Sequence, residues 1–239
     1  MKTSAAVLVV SLIGITPALV MGTPTTIAQW TFESSVPTTS GSYSPEVGSG
    51  SASGLHAGTT TYSSPAGNGS SHSFSANNWA VADYFQFQLR TVGYQNIGVS
   101  WDQTSSSTGP GAFGLFYSTD GSTFTQFGAN YSVLVNGSPN SAWSSSGSPN
   151  LAFHFAYDLS SITALNNAAA VYFRLVDEST LSASGGAVAS GGADRVDNFT
   201  VVSVPDSLTG LGGLACALGL VEVLRRMHII SIPLTRRHA

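Results

Sequence analysis

Several segments in the middle of the chain alternate apolar and polar residues with a period of two, the pattern of a strand with one buried face. In the clearest of them, Gln86 and Gln88 fall on the polar side. Because the next such segment follows after a short gap, we expect the two to be neighbouring antiparallel strands. The apolar positions of the two segments are Phe85, Phe87 and Leu89, then Ile97, Val99 and Trp101.

A hairpin is predicted in the middle of the chain. Apolar residues at 113–118 and 123–127 flank a polar sequence that contains Asp120-Gly121. Asp-Gly favours the positive φ angles of a tight turn between two strands. Three further strands are predicted at 29–33, 171–176 and 196–202.

Helical signal is nearly absent between the termini. Residues 160–170 are the one candidate, and we interpret them as a loop that crosses between sheets. Two Ser/Gly-rich stretches, 38–71 and 179–192, are interpreted as long surface loops. Many short strands separated by Gly, Ser, Asn and Pro predict an all-β fold, an antiparallel β-sandwich of jelly-roll-like type, over residues 29–203.

The N-terminus has the pattern of an export signal. Lys2 precedes an apolar run at 5–15, which is too short for a membrane-spanning anchor and has the length of a signal-peptide core. Small residues at Gly22 and Ala28 offer two cleavage points. We expect a signal peptide helix within residues 1–28.

A second apolar run lies near the C-terminus. Residues 208–224 carry a single charge, Glu222, and are followed at once by Arg225 and Arg226. The length is marginal for a membrane span, and the arginines would hold the tail on the cytoplasmic side. We expect a transmembrane helix there with a basic tail, and an amphipathic or core helix is the alternative.

A short motif, Val204-Pro205-Asp206-Ser207, precedes the apolar run and the Arg225-Arg226 pair. A known class of sorting signal has its elements in this order. Together, residues 204–239 resemble the C-terminal sorting signal of the PEP-CTERM class in its Val-Pro-Asp-Ser-Gly variant, with Leu208 where that variant has Gly. Residues 30–33 and 195–199 are similar to β-sandwich ectodomains that precede this signal. The resemblance implies recognition of the motif by an exosortase, with the arginine pair as stop signal.

Composition narrows the classes of function. Charged residues make up 8% of the chain, and the only lysine is Lys2. Between Gln29 and Pro205, three arginines stand against ten Asp and Glu, a net charge of −7. We therefore expect no nucleic acid partner, because binding to nucleic acid requires Lys and Arg to neutralise its phosphates and this region has few of them. The only cysteine is Cys216, so no intrachain disulfide is possible, and an export signal without cystines favours a bacterial outer compartment. The resemblance to the PEP-CTERM class implies the cell envelope, outer surface or extracellular matrix of a Gram-negative-type bacterium.

A structural calcium ion is one hypothesis for the predicted sandwich. Glu33 ends the predicted first strand and Asp197 lies in the last, and the first and last strands of jelly-roll carbohydrate-binding modules commonly pair and share calcium. Calcium takes six to eight oxygen ligands, so two carboxylates are an incomplete set. In the alternative, Asp197 pairs with Arg195 or Arg174, or caps a turn.

Two tryptophans are candidates for sugar binding. Trp79 and Trp143 stand in polar loop sequence, where an aromatic ring can stack on the apolar face of a sugar. In the alternative they close one end of the sandwich. Amide side chains such as Gln86 and Gln88 could bond sugar hydroxyls.

The sequence offers no catalytic constellation. No histidine stands at metal-ligand spacing from another ligand, and no Gly-x-Ser-x-Gly precedes a helix. The leading hypothesis is a non-enzymatic, exported surface or matrix protein sorted by an exosortase-like protease and associated with exopolysaccharide, with the membrane a transient stop. A dedicated carbohydrate-binding module is the second hypothesis, and a divergent glycan-active enzyme is the third.

Overall fold

Twelve β-strands make up most of the regular structure of residues 24–203, the part of the chain that the computed structural model describes. The first six strands are β1 (Thr25–Trp30), β2 (Val47–Gly48), β3 (Gly50–Leu55), β4 (Tyr62–Ser63), β5 (Phe74–Asn77) and β6 (Tyr84–Leu89). The other six are β7 (Ile97–Ser105), β8 (Ala112–Ser118), β9 (Thr125–Ser132), β10 (His154–Asp158), β11 (Val171–Asp177) and β12 (Ala193–Ser203). Two single 3₁₀ turns, Leu151–Phe153 and Thr163–Leu165, are the helical elements of this range.

The strands form two antiparallel sheets. Sheet A has the order β10–β7–β12–β1–β2, and β5 pairs with the beginning of β12 and carries β4 on its other side. Sheet B has the order β3–β6–β11–β8–β9. The prediction of an all-β antiparallel sandwich is confirmed. The first and last strands pair, with Ala28 opposite Val201 and Trp30 opposite Phe199.

Aromatic side chains fill the space between the sheets. Phe87 of β6 and Phe199 of β12 stack with ring centroids 3.6 Å apart and planes 2° from parallel. Trp30 meets Phe87 edge-on at 5.3 Å, and Trp101 lies 6.1 Å from Phe199. All four rings are fully buried. The apolar sides of the alternating strands therefore form one core.

The pairing expected for β6 and β7 is wrong. β6 lies in sheet B between β3 and β11, whereas β7 lies in sheet A between β10 and β12. Both strands turn their apolar side to the same core, so the alternating pattern is the same whether they pair or face each other. The segment between them crosses from one sheet to the other.

The Ser/Gly-rich stretch 38–71 is not a loop throughout, because it contains β2, β3 and β4. Small residues are needed here since aromatic rings occupy the adjacent space. A Cβ atom at Gly54 would lie 2.6 Å from a ring carbon of Tyr62, and one at Gly50 would lie 2.9 Å from a ring carbon of Trp30. The stretch 179–192 holds no strand, as predicted. The segment 160–170 holds only a 3₁₀ turn and agrees with the loop interpretation.

The first strand is shifted toward the N-terminus from its predicted range of 29–33. It runs from Thr25 to Trp30 and ends before Phe32, whose φ of 59° lies in the left-handed region that a strand does not use. Glu33 consequently follows the strand. Most of the predicted signal peptide lies outside residues 24–203. The predicted sorting motif, transmembrane helix and basic tail lie wholly outside them. Within that range no helix is both long and apolar enough to cross a membrane.

The predicted hairpin is present as β8 and β9. Of its Asp-Gly pair, Gly121 alone adopts a positive φ, 72°. Asp120 acts through its side chain, which accepts hydrogen bonds from the Ser122 and Thr123 amides at 2.7 and 2.8 Å. These bonds lower the pKa of Asp120 to about 2.

The position of β1 predicts which cleavage point preserves the fold. Cleavage after Ala28 would remove Thr25–Ala28, including buried Ile27 and Ala28, whereas cleavage after Gly22 would leave β1 whole. We expect a chain that starts at Gln29 to lose at least about 2 kcal/mol of unfolding free energy relative to one that starts at Thr23, from burial of Ile27 alone. Equal urea denaturation midpoints for the two chains would contradict this.

Candidate functional site

Trp79 belongs to the core and is not an exposed loop aromatic. Its side chain is 6% exposed, and its indole Nε1 donates to the carbonyl of Ala76 at 2.8 Å. The ring packs against Phe85 at 5.0 Å and His56 at 4.3 Å. The expectation of an open stacking surface at Trp79 is wrong, and the alternative, closure of the sandwich, describes its position.

Trp143 is also closed off from solvent, with 6% of its surface exposed. It packs edge-on against Phe153 at 6.0 Å, and the Arg195 guanidinium carbon lies 5.8 Å from its ring centroid. Its backbone N–H donates to the side chain of Asn136 at 2.7 Å. Segment 136–153 thus forms a small apolar cluster of its own, and neither predicted tryptophan offers a ring to a sugar.

Asp197 is buried and accepts hydrogen bonds from a covering loop. Its Oδ2 accepts from the Asn68 amide at 2.9 Å and from the Ser70 hydroxyl at 2.6 Å, and its Oδ1 accepts from the Asn198 amide at 2.7 Å. A Cβ atom at Gly67 would collide with Asp197 and Ser70, so only glycine lets this loop approach so closely.

Glu33 contacts the same loop separately, accepting from the His72 amide at 2.8 Å. The expected arginine partners of Asp197 are engaged elsewhere: Arg195 donates to the carbonyl of Ala66, and Arg174 donates to Gln86. Among residues 24–203, no group of three or more His, Cys, Asp or Glu is placed to hold a metal ion. Calcium at Glu33 and Asp197 stays a prediction, and the structure adds no further ligand to it.

A polar row crosses sheet A beside Asp197. Asp102 of β7 lies opposite both Asp197 of β12 and His154 of β10 in the strand register. The Asp102 carboxylate forms a 2.8 Å hydrogen bond with the Nδ1 atom of His154. It also accepts a 2.8 Å hydrogen bond from the side-chain Nδ2 atom of Asn198. Both aspartates are at most 3% exposed.

A β-bulge in β12 creates this arrangement. Val196 and Phe199 both face the core although they are three residues apart, which a regular strand of period two does not allow. The register shifts between Asp197 and Thr200, and Asn198 takes up the extra residue with a φ of 54°. Asn is among the residues that tolerate this left-handed conformation.

Burial, and to a smaller extent the neighbouring Asp102 carboxylate, raise the pKa of Asp197 to about 7, against the opposing hydrogen bonds from Ser70, Asn68 and Asn198. A carboxyl group with a pKa near 7 beside a His–Asp pair has the composition of an acid–base site. The carboxyl oxygens, however, face covering loops and internal donors. The two carboxyl groups of this cluster are thus engaged within the protein, and the His154 side chain is partly exposed.

The outer side of sheet B is arranged differently. Because Phe85 and Phe87 point into the core, Tyr84, Gln86 and Gln88 point outward, and all three are partly exposed. The strand register places outward residues of the neighbouring strands beside them. We call this surface the open face: Ser51, Ser53, Tyr84, Gln86, Gln88, Phe116, Phe124, Gln126, Tyr172 and Arg174.

Arg174 fixes the centre of the open face. Its guanidinium carbon lies 3.9 Å from the Tyr84 ring centroid and 3.5 Å from that of Phe124, so the cation is held between two rings. Its Nε donates to the side-chain oxygen of Gln86 at 2.8 Å. That bond orients the Gln86 amide. Its oxygen faces Arg174, and its two N–H groups point away from Arg174. Tyr172 meets Phe124 edge-on at 6.5 Å.

Sequence alternation indicated that Gln86 and Gln88 share a face, but it did not identify the aromatic residues of that face. Tyr84 and Tyr172 precede core positions in β6 and β11, so the same period of two would have placed them outward. Phe124 lies in the loop before β9 and reaches the face only through the fold of the hairpin. Trp79 and Trp143 stand in polar sequence, which indicates exposure, but both are buried.

No protein-family model matches the chain, and the search of curated proteins gave no match. Among solved structures, the K2 cleaved adhesin domain of Lys-gingipain aligns with a TM-score of 0.44 and 16% identity, over 74% of this chain and 98% of that one. The K1 cleaved adhesin domain of Lys-gingipain from Porphyromonas gingivalis W83 gives 0.41 and 11%, over 77% and 100%. TmCBM61 in complex with β-1,4-galactotriose gives 0.36 and 8%, over 64% and 86%. At these values nothing about ligands is transferred to this chain.

The raised pKa of Asp197 predicts how stability depends on pH. Near pH 6.5 the folded state holds a proton on Asp197 that the unfolded carboxyl, with a pKa of about 4, has already lost, and the folded state releases this proton by about pH 8, so the unfolding free energy falls as pH rises through this range. The buried Asp194, with its raised pKa, acts in the same direction. His56, whose pKa is lowered by burial, opposes this only below about pH 6.5.

We expect Asp197→Asn to remove about 1 kcal/mol from the difference in unfolding free energy between pH 6.5 and 8, measured by urea denaturation. Asp158→Asn is the matched control, because hydrogen bonds from Ser160 hold the pKa of that carboxyl below its ordinary value and outside this range. An unchanged pH dependence in Asp197→Asn would show that Asp197 does not titrate there.

Proposed function

We propose that this is an exported, non-catalytic protein of the cell surface or extracellular matrix whose β-sandwich binds polysaccharide on the open face. The observation that carries the proposal is the row of partly exposed amide and aromatic side chains along β6 and β11, held in place by Arg174. Amides donate to and accept from sugar hydroxyls, and rings cover apolar sugar faces.

The two outer surfaces of the sandwich support this choice of face. On sheet A, segment 64–73 covers Asp197 and Arg195, and Trp143 of segment 136–153 lies against Arg195. On sheet B, the outward residues of β6 alternate with buried ones along the whole strand and stay partly exposed. Alternate residues are about 7 Å apart, so Tyr84, Gln86 and Gln88 form a linear array suited to an extended chain.

Preorganisation favours binding by this surface. Side chains that are already ordered lose little conformational entropy when a ligand docks. Arg174 is held by Tyr84, Phe124 and Gln86 before any ligand is present. Gly121 allows the hairpin turn to pack against Tyr172, since a Cβ atom there would lie 2.9 Å from a ring carbon of Tyr172. Both features fix ring positions on the open face.

The binding proposal predicts a selective loss of affinity from open-face variants. In affinity electrophoresis against a panel of polysaccharides, we expect Tyr172→Ala and Gln88→Ala each to weaken retention by about tenfold, equivalent to about 1.4 kcal/mol. Gln29→Ala is the matched amide control, because Gln29 is a half-buried residue of β1 in sheet A. No retention of the parent protein by any polysaccharide, or equal retention of all variants, would refute binding at this face.

Sorting by an exosortase-like protease is the second part of the proposal. It rests on Val204, Pro205, Asp206 and Ser207, the apolar segment 208–224 and the pair Arg225 and Arg226. The motif directly follows β12, which ends at Ser203, so cleavage near it would leave the described sandwich intact. The membrane segment would then hold the protein only until processing.

Mass spectrometry of the protein from its native host tests this part. We expect a mature C-terminus near Ser207 and an N-terminus close to Thr23. A chain that still ends at Ala239 would contradict sorting by cleavage. A variant with Pro205→Ala and Asp206→Ala is expected to keep the C-terminal segment, since the protease would no longer recognise the motif.

A further inference from the structure

Arg90 differs from the other arginines of the described range. Arg174 is held between two rings, and Arg195 donates to the Ala66 carbonyl and lies against Trp143. Arg90 directly follows β6 and is exposed, and within residues 24–203 it is the one guanidinium without a hydrogen bond, ion pair or ring contact. Its five N–H donors are therefore available to a ligand.

Two adjoining cavities meet at Arg90. One has a volume of about 300 Å³ and is lined in part by Ser51, Gln88 and Arg90. The other has a volume of about 350 Å³ and includes Tyr94 and Arg90. Ser49 borders both. We call the two together the Arg90 groove; it lies where the edge strands β2 and β3 of the two sheets come together.

The Arg90 groove continues the open face. Ser51 and Gln88 are opposite each other in the register of β3 and β6, and both line the groove and belong to the open face. An extended chain lying over Gln86 and Gln88 would therefore reach Arg90 next, about 7 Å further along the strand direction. A ligand can contact the amides and the guanidinium at the same time.

The charge of the groove is opposite to that of the domain as a whole. No Asp or Glu lines either cavity. Five of the ten acidic residues between Gln29 and Pro205 are buried: Asp83, Asp102, Asp177, Asp194 and Asp197. Glu46, near β2 in the sequence, directs its carboxylate to the Thr31 and Ser34 amides. Arg90 is thus an isolated positive charge in a polar groove.

We propose that the Arg90 groove binds a carboxylate group of an acidic polysaccharide, so that the ligand of the open face is a chain containing uronic acid residues. A guanidinium pairs with a carboxylate through two parallel hydrogen bonds, a geometry that sugar hydroxyls do not reproduce. This inference rests on the proposed function, since the open face binds the chain and Arg90 selects its charge.

The test uses the intact protein and pairs of polysaccharides that share a backbone but differ in charge. Polygalacturonate with its methyl ester is one pair, and oxidised with unmodified soluble β-glucan is another. We expect the acidic member of at least one pair to bind about tenfold more tightly at low salt and to lose this advantage as salt screens the charge. In Arg90→Gln we expect the preference to disappear, because the affinity for the acidic member falls to about that for the neutral member.

Two further variants identify the interaction. Arg90→Lys keeps the charge but not the paired donors, so we expect it to keep only part of the preference. Gln95→Ala changes an exposed side chain of the same segment that does not line the groove and should leave both affinities unchanged. Equal binding of both members, or a preference that persists in Arg90→Gln, would overturn the Arg90 inference alone. Binding to neither member of any pair would overturn the polysaccharide-binding function itself.

Discussion

The stacked rings of Phe87 and Phe199 are the contact on which the two-sheet arrangement depends. Phe87 comes from β6 in sheet B and Phe199 from β12 in sheet A, so their 3.6 Å stack joins an interior strand of each sheet. The chain has one cysteine, Cys216, and no disulfide within the chain can replace this contact. Each buried phenylalanine contributes about 2 to 3 kcal/mol, and Trp30 and Trp101 pack beside the pair.

This contact also determines what each sheet shows to solvent. With Phe87 inside, Gln86 and Gln88 must lie outside, which creates the open face. With Phe199 inside, β12 needs a bulge at Asn198 to keep Val196 inside as well, and Asp197 is then turned under the loop that contains Ser70. One core contact thereby produces an open polar surface on sheet B and a closed polar cluster on sheet A.

The strands of the sandwich were predictable where a period of two is uninterrupted, as in β6, β7 and β11. Their partners were not, because an amphipathic strand fits either sheet of a sandwich. The edge strands β2 to β4 are not evident from the sequence. Their small residues are required because the rings of Tyr62 and Trp30 occupy the adjacent space, and the local sequence does not show that these rings are near. The polar neighbours of Trp79 and Trp143 in the sequence indicate exposure, but His56 and Phe85 pack against Trp79, and Phe153 packs against Trp143.

Hydroxyl-radical footprinting of the intact protein, with and without an acidic polysaccharide, shows which sheet binds the chain. The open face is predicted to lose reactivity at Tyr84, Phe124 and Tyr172 when the polysaccharide is bound. His154, which is partly exposed on sheet A, is predicted to react as before. Protection of His154 with no change at Tyr84, Phe124 and Tyr172 would contradict the account and place the binding surface on the other sheet.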